Sequence, residues 1–244
     1  MYTHEFSVLP SDSSCRGKIK LRSLLDYFQD TAGLAVEDIE GTTTELIARG
    51  YAWVLTRYEI DITGELPSLD EKFFVTTFHD PLHGYNTLRA FRVHSHNGRE
   101  IVRAKTAWLL LDVHTGRPVK PIAHLPEITS RDTENIPPDF RDIPDFDDEN
   151  ILLSVNFPVR FHDLDYNAHV NNAAYFEWVF DACPVDTMTH ELISICASFR
   201  SGAKLGENVT LNFAGDGEKS FRVKIMRPGV QKPSAMFACL WKEG

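Results

Sequence analysis

The sequence predicts an α+β chain made of two copies of one plan, each an antiparallel sheet wrapped around a single helix. Three observations predict it. Each half opens on one apolar stripe at helical spacing, follows it with strand-like runs that no further helix interrupts, and repeats the landmarks of the other half in the same order.

In the first half Leu25, Phe28, Ala32, Ala35, Val36 and Ile39 recur at intervals of three and four, which gives a helix one apolar face to bury. Strand candidates follow at Ala52 to Ile62, Lys72 to Phe78, Thr87 to Ser95 and Ile101 to Asp112, with Asn97-Gly98 as a hairpin turn between the last two. From Pro118 to Asn150 the character changes: Pro118, Pro121, Pro126, Pro137, Pro138 and Pro144 break any regular element, and acidic residues gather in DFDDEN. That stretch reads as an extended surface connection.

The second half restarts with Phe176, Val179, Phe180 and Cys183 at helical spacing before Pro184 stops the helix. Its strand candidates are Leu192 to Arg200, Asn208 to Phe213, Ser220 to Met226 and Ala235 to Trp241. Asp26-Tyr27-Phe28-Gln29 returns as Ala174-Tyr175-Phe176-Glu177, and Phe91-Arg92-Val93 returns as Phe221-Arg222-Val223, each triplet leading to a strand that carries Trp108 or Trp241. In order, these matches point to a duplication, and the expected layout is a domain at 1–130, an acidic Pro-rich linker at 131–149 and a domain at 150–244.

A length of 244 residues allows two cores of ordinary size. With 43% hydrophobic and 25% charged residues the chain belongs with folded globular proteins. Thirty-five acidic against 25 basic residues give a net charge of -10, and no basic cluster offsets it, so nucleic acid is not an expected partner. No apolar run approaches membrane-spanning length, and MYTHEFSVLP has neither a signal-peptide nor a transit-peptide pattern; the expectation is a cytoplasmic chain with no membrane partner. Cys15, Cys183, Cys196 and Cys239 are scattered without a C-x-x-C pair, which favours reduced thiols over disulfides or a zinc site.

The densest functional chemistry lies in FHDLDYNAHVNNAAY, from Phe161 to Tyr175. It holds Asp163, Asp165, Asn167, Asn171, Asn172, His162 and His169 immediately before the second helix. Asn171 or Asn172 is a natural N-cap, so the run sits where unpaired N–H groups and the helix dipole favour negative charge, as an oxyanion site requires. Asp163, Asp165 and Asn167 match the opening of a calcium loop, but Ala168 and Ala174 stand where that loop needs Gly and Glu, so no metal is expected. A capped turn alone needs only one or two of these residues.

This segment resembles the D-x-N-x-H-V-N-N signature of the acyl-ACP thioesterases of bacteria and plants, and the two-copy layout extends the resemblance over most of the chain. The resemblance implies two tandem hotdog domains, the first helping to form the acyl pocket and the second carrying catalysis. It implies hydrolysis of fatty acyl-ACP in fatty acid biosynthesis, with an acyl-loaded acyl carrier protein as partner and no cofactor. Catalytic roles fall on Asp165, Asn167 and His169, with Asp163 a structural neighbour and the N–H groups near Asn171 and Asn172 as oxyanion donors. The chain departs from the family downstream: Phe199-Arg200-Ser201 runs into Gly202-Ala203 where Glu-Cys is common, which leaves open the water-activating base, with Glu207 as a candidate under another register.

Phe28, Trp53 and Phe73 are candidates to line an acyl tunnel, against the simpler reading as core. Arg57, Arg89, Arg92, Arg103 and Lys105 are candidates for a basic patch that would dock an acidic carrier protein. A hotdog hydratase or dehydratase and a non-catalytic acyl-binding module stay open as alternatives, while a serine thioesterase lacks its G-x-S-x-G elbow. Fused hotdogs allow a monomer or a homodimer.

Overall fold

The computed structural model describes residues 1–40, 42–125 and 134–244, with the side chains of 37–40 and 81–83 left aside. The chain divides into Met1–Phe140, here unit 1, and Arg141–Gly244, unit 2. The boundary expected at residue 130 and the first linker residues fall within 126–133, outside the described residues.

Unit 1 comprises β1 (Tyr2–Ser7), α1 (Leu21–Glu40), α2 (Thr43–Ala48), β2 (Tyr51–Ile62), β3 (Lys72–His83), β4 (Asn86–Ser95), β5 (Glu100–Asp112), β6 (Arg117–Val119) and α3 (Pro121–His124). Its antiparallel strands run in the order β1-β3-β4-β5-β2, with β6 on the end of β5. Unit 2 comprises β7 (Leu153–Pro158), α4 (Asn172–Ala182), β8 (His190–Phe199), β9 (Asn208–Gly215), β10 (Ser220–Met226) and β11 (Ala235–Glu243), in the order β7-β9-β10-β11-β8. The two orders match strand for strand, and each unit is a hotdog: one antiparallel sheet with one main helix against it.

The helices differ in how much of their apolar surface the core takes. In α1, Leu24, Leu25 and Phe28 are buried, and Phe28 stacks on Phe91 of β4 with ring centroids 4.7 Å apart. Beyond Thr31 the stripe loses cover: Leu34 is 43% exposed, Ala32, Ala35 and Val36 are half-buried, and the side chain of Ile39 lies outside the described residues. In α4, Ala173, Ala174, Tyr175, Phe176, Trp178 and Val179 are all buried, Phe176 meets Phe237 edge-on at 5.1 Å, and Phe180 meets Trp241 at 5.2 Å. A helix apolar on most of its circumference belongs in a core, which is the position α4 holds.

The duplicated triplets occupy equivalent places. Phe91, Val93, Phe221 and Val223 point into the cores, while the arginines between them face outward. Arg92 pairs with Glu134, and Arg222 donates through Nη1 to the Asp145 carbonyl at 3.1 Å. Both partners belong to the segment read as a surface linker, and that segment does more than connect. Ile136 is buried against Leu88, Ala90 and Ala107, with Phe140 beside it. Lys105 Nζ lies 4.6 Å from the centre of the Phe140 ring, and Lys224 Nζ lies 4.4 Å from that of buried Phe146. Aromatic burial and cation–π contacts thus hold the proline-rich chain down.

Candidate active site

The loop before α4 is a closed backbone construction. The 3-10 turn Phe161–Asp163 is fastened by Asp163, whose Oδ2 accepts the Arg160 N–H at 2.7 Å and whose carbonyl accepts the Asn171 N–H at 2.8 Å. Asp163 therefore spends its polar groups on structure. A bridge between Leu164 and Val170 then pinches off the next residues, and the Asp165 N–H donates to the His169 carbonyl at 2.8 Å. Ala168 turns the chain at φ 57, a left-handed conformation that costs a non-glycine residue of order 1 kcal/mol or more.

This turn brings Asp165 and His169 to its two sides. Oδ1 of Asp165 accepts the Asn167 N–H at 2.8 Å and the His169 N–H at 3.4 Å, and among the described residues Oδ2 takes no hydrogen bond. His169 Nδ1 lies 3.0 Å from the main-chain carbonyl of Asn167, which can only accept, so Nδ1 carries a proton and Nε2 is the nitrogen turned to other partners. Asp165 is half-buried, whereas Asn167 and His169 are exposed.

Behind the loop, α4 and the chain after β8 lock it in place. Asn171 is the N-cap, its side chain accepting the Ala173 N–H at 2.8 Å. Because the Asn171 N–H is given to Asp163, the Asn172 N–H is the one at the helix start that makes no hydrogen bond among the described residues. Val170 donates to the Ala203 carbonyl at 3.0 Å, and the Ala203 N–H donates to the Tyr175 hydroxyl at 2.8 Å. Tyr175 is 1% exposed, and burial pushes its phenol up to about 12, so it stays neutral.

Gly202 stands where the resemblance implies a carboxylate, and its surroundings are tight. A Cβ at 202 would lie 2.9 Å from Cδ2 and 3.1 Å from Cβ of His169. Gly202 has no positive φ, so the backbone there does not itself require glycine. Glu207, the candidate under another register, is held in an ion pair. Arg227 grips both its oxygens at 2.8 and 2.6 Å, and this pairing holds its carboxyl below the usual range.

Unit 1 contains the same loop with different chemistry. Ser14 donates to the Lys18 carbonyl at 2.8 Å, Ser13 bridges Ile19, and Gly17 turns at φ 72, repeating Asp165, His169, Leu164, Val170 and Ala168 in turn. Ile19 donates to the Pro67 carbonyl at 2.9 Å as Val170 does to that of Ala203, so Leu66 stands where unit 2 has Gly202. Ser14, Arg16 and Lys18 thus occupy the places of Asp165, Asn167 and His169, and Lys18 is tied to Glu65. Only unit 2 carries a carboxylate, an amide and an imidazole on this frame. The role of Gly202 was legible only as a departure from the family pattern, and the Tyr175 hydroxyl contact had no local signal.

Phe28 and Phe73 are fully buried core residues, and Trp53 packs against Leu46, Leu110 and Leu125. The basic patch expected in unit 1 is spent internally. Arg92 and Arg103 pair with Glu100, Lys105 pairs with Glu59 at 3.3 Å, Arg57 lies over the Phe140 ring, and buried Arg89 donates to Thr77 at 3.1 Å. Arg92, Arg103, Lys105, Glu59 and Glu134 line a cavity of about 200 Å³ whose walls alternate in sign. Among the described residues, no helix is long and apolar enough to cross a membrane, and no cluster of His, Cys, Asp or Glu could hold a metal ion.

Comparison with known proteins agrees with this layout. Residues 1–129 match the model of the acyl-ACP thioesterase N-terminal domain, and residues 148–241 match that of the C-terminal domain. An acyl-(acyl-carrier-protein) hydrolase of Cuphea viscosissima, chloroplastic, is 24% identical over 250 residues, covering 93% of this chain and 58% of its own length. A chloroplastic palmitoyl-acyl carrier protein thioesterase of Arabidopsis thaliana is 24% identical over 207 residues, covering 78% and 49%. The chain thus spans about half the length of the curated relatives it matches. Among solved structures, a 12:0-ACP thioesterase from Umbellularia californica superposes with a TM-score of 0.86 at 18% identity, covering 100% of this chain and 97% of that one. An acyl-ACP thioesterase from Bacteroides thetaiotaomicron gives 0.84 at 20% identity, covering 98% and 97%. With both of its domains matched, the chain belongs to the acyl-ACP thioesterase family.

Proposed function

We propose that this protein hydrolyses fatty acyl-ACP to a free fatty acid and the carrier protein, using Asp165, His169 and Asn167 of unit 2. The observation that carries the reading is the single loop that orients a carboxylate and an imidazole nitrogen at the N-terminus of α4.

A thiol of pKa about 8.5 leaves readily, so thioester hydrolysis needs an activated water and a polarised carbonyl more than a strong acid. Oδ2 of Asp165 takes one proton from the water, and Nε2 of His169 accepts a hydrogen bond from the hydrogen that stays on it. The water oxygen bonds to the carbonyl carbon, and charge on the carbonyl oxygen meets the Asn172 N–H and the positive end of the α4 dipole. Collapse of the adduct breaks the C–S bond, and the thiolate takes up the proton held by Asp165 as the acid departs. Asn167 contributes twice: its carbonyl fixes the His169 tautomer, and its N–H holds Asp165. The four cysteines form no disulfide, which suits a reducing cytoplasm.

Free-thiol release from acyl-ACP by wild type, Asp165→Asn and His169→Ala tests the reading. Rates at least about 100-fold lower in both variants are expected. Near-normal rates in both would remove these residues from the chemistry.

A further inference from the structure

If acyl-ACP is the substrate, the acidic carrier must meet a positive surface near the thioester, and the five basic residues of unit 1 considered for that purpose are already engaged. Other cations lie beside the site loop. Arg160 and Lys204 are both exposed, and among the described residues no ion pair closes on either; Lys204 lies near Glu207, whose charge Arg227 already meets. Next to them stand two of the most exposed aromatic residues in the chain, Phe161 at 72% and Tyr166 at 67%.

Backbone pairing holds these segments side by side. Val159 donates to the Glu207 carbonyl at 2.8 Å, which sets Arg160 and Phe161 beside 204–207, and the Val170 to Ala203 bond sets the loop bearing Tyr166 beside the same strand of chain. The equivalent loop of unit 1 shows that the fold asks for none of these side chains. Leu9 gives its N–H to Asp12 as Arg160 does to Asp163, so Leu9, Pro10, Cys15 and Ser68 take the places of Arg160, Phe161, Tyr166 and Lys204. At these four positions the same backbone carries two cations and two aromatic rings in unit 2 and neither in unit 1.

We infer that this rim is the docking surface for the acyl carrier protein, with Arg160 and Lys204 meeting its carboxylates and Phe161 and Tyr166 packing as apolar anchors. Exposed aromatics flanked by cations are the composition of an interface centre with a steering rim, and they suit a small acidic partner. The inference rests on acyl-ACP being the substrate, so its test separates docking from hydrolysis.

Binding is measured by calorimetry with a carrier protein bearing a hydrolysis-resistant acyl amide, for wild type, Arg160→Glu/Lys204→Glu and Phe161→Ala/Tyr166→Ala. Thiol release is followed in parallel from acyl-ACP and from the neutral acyl-N-acetylcysteamine thioester. Both double variants should bind the carrier about tenfold or more weakly, with the salt dependence flattened in the charge-reversed one. Their kcat/KM on acyl-ACP should fall equally, while hydrolysis of the small thioester stays within about twofold of wild type. Unchanged carrier binding overturns the proposal, as does an equal fall on both substrates or a changed oligomeric state in place of changed binding. Should wild type release no thiol, the hydrolase reading fails while the binding comparison still decides the docking surface.

Discussion

At the scale of single residues, the arrangement turns on how Gly202 and His169 share space. A methyl group at 202 would stand 2.9 Å from the His169 ring, and the backbone offers no other reason for glycine. Gly202→Ala is therefore expected to lower kcat by about 10- to 100-fold through displacement of the ring, since misplacing a catalytic group by about 1 Å can cost that much. Thermal melting should change little; a normal kcat in the folded variant would show that the ring has room to move. Glu207 makes the opposite case, a carboxylate near the site with a structural job. Arg227 lowers its pKa in the folded state, so its stabilisation is present above the unfolded carboxylate pKa of about 4.3 and is lost as pH falls through the lower folded value. Glu207→Gln should cost about 1–2 kcal/mol at neutral pH, and urea titrations should show the gap to wild type closing below about pH 4.

At the scale of elements, α4 acts as both anchor and dipole for the loop. Its Tyr175 hydroxyl is the partner of the Ala203 N–H, next to Gly202 and one link from Val170. Tyr175→Phe leaves that N–H without its acceptor, and a loss of about 1–3 kcal/mol in chemical denaturation is expected, together with reduced turnover. What the sequence revealed follows from how strongly each element is patterned. Eight strands were legible because they alternate or run apolar with buried faces, as β4 does with Phe91 and Val93. The edge strands β1 and β7, YTHEFS and LSVNFP, carry few core residues and were missed. The short helix α2 did carry a signal, the Thr42 and Glu45 capping box, but only six residues to support it. For the connecting segment, proline and acid content masked the burial of Ile136 and Phe146. Of the site, the loop residues and the N-cap were readable as a dense polar run before a helix. The contacts of Gly202 and Tyr175 were not, because they join positions 28 or more residues apart.

At the scale of the whole molecule, the two units carry two copies of one loop, and only the copy in unit 2 bears a carboxylate and an imidazole. Ser14 and Lys18 repeat the backbone bonds of Asp165 and His169 without their chemistry. Ser14→Ala and Lys18→Met should therefore keep kcat within about twofold, since neither removes a group acting on the reacting atoms. A loss comparable to that of Asp165→Asn would mean that unit 1 also takes part in the chemical step. The exposed aromatic and basic rim lies on the same unit as Asp165 and His169. The measurement that bears most directly on this account is the rate of free-thiol release from a panel of acyl-ACP thioesters by wild type and by folded Asp165→Asn. Release by wild type that falls at least about 100-fold in the variant is the predicted result. No release by wild type across the panel, or equal release by both, would contradict it.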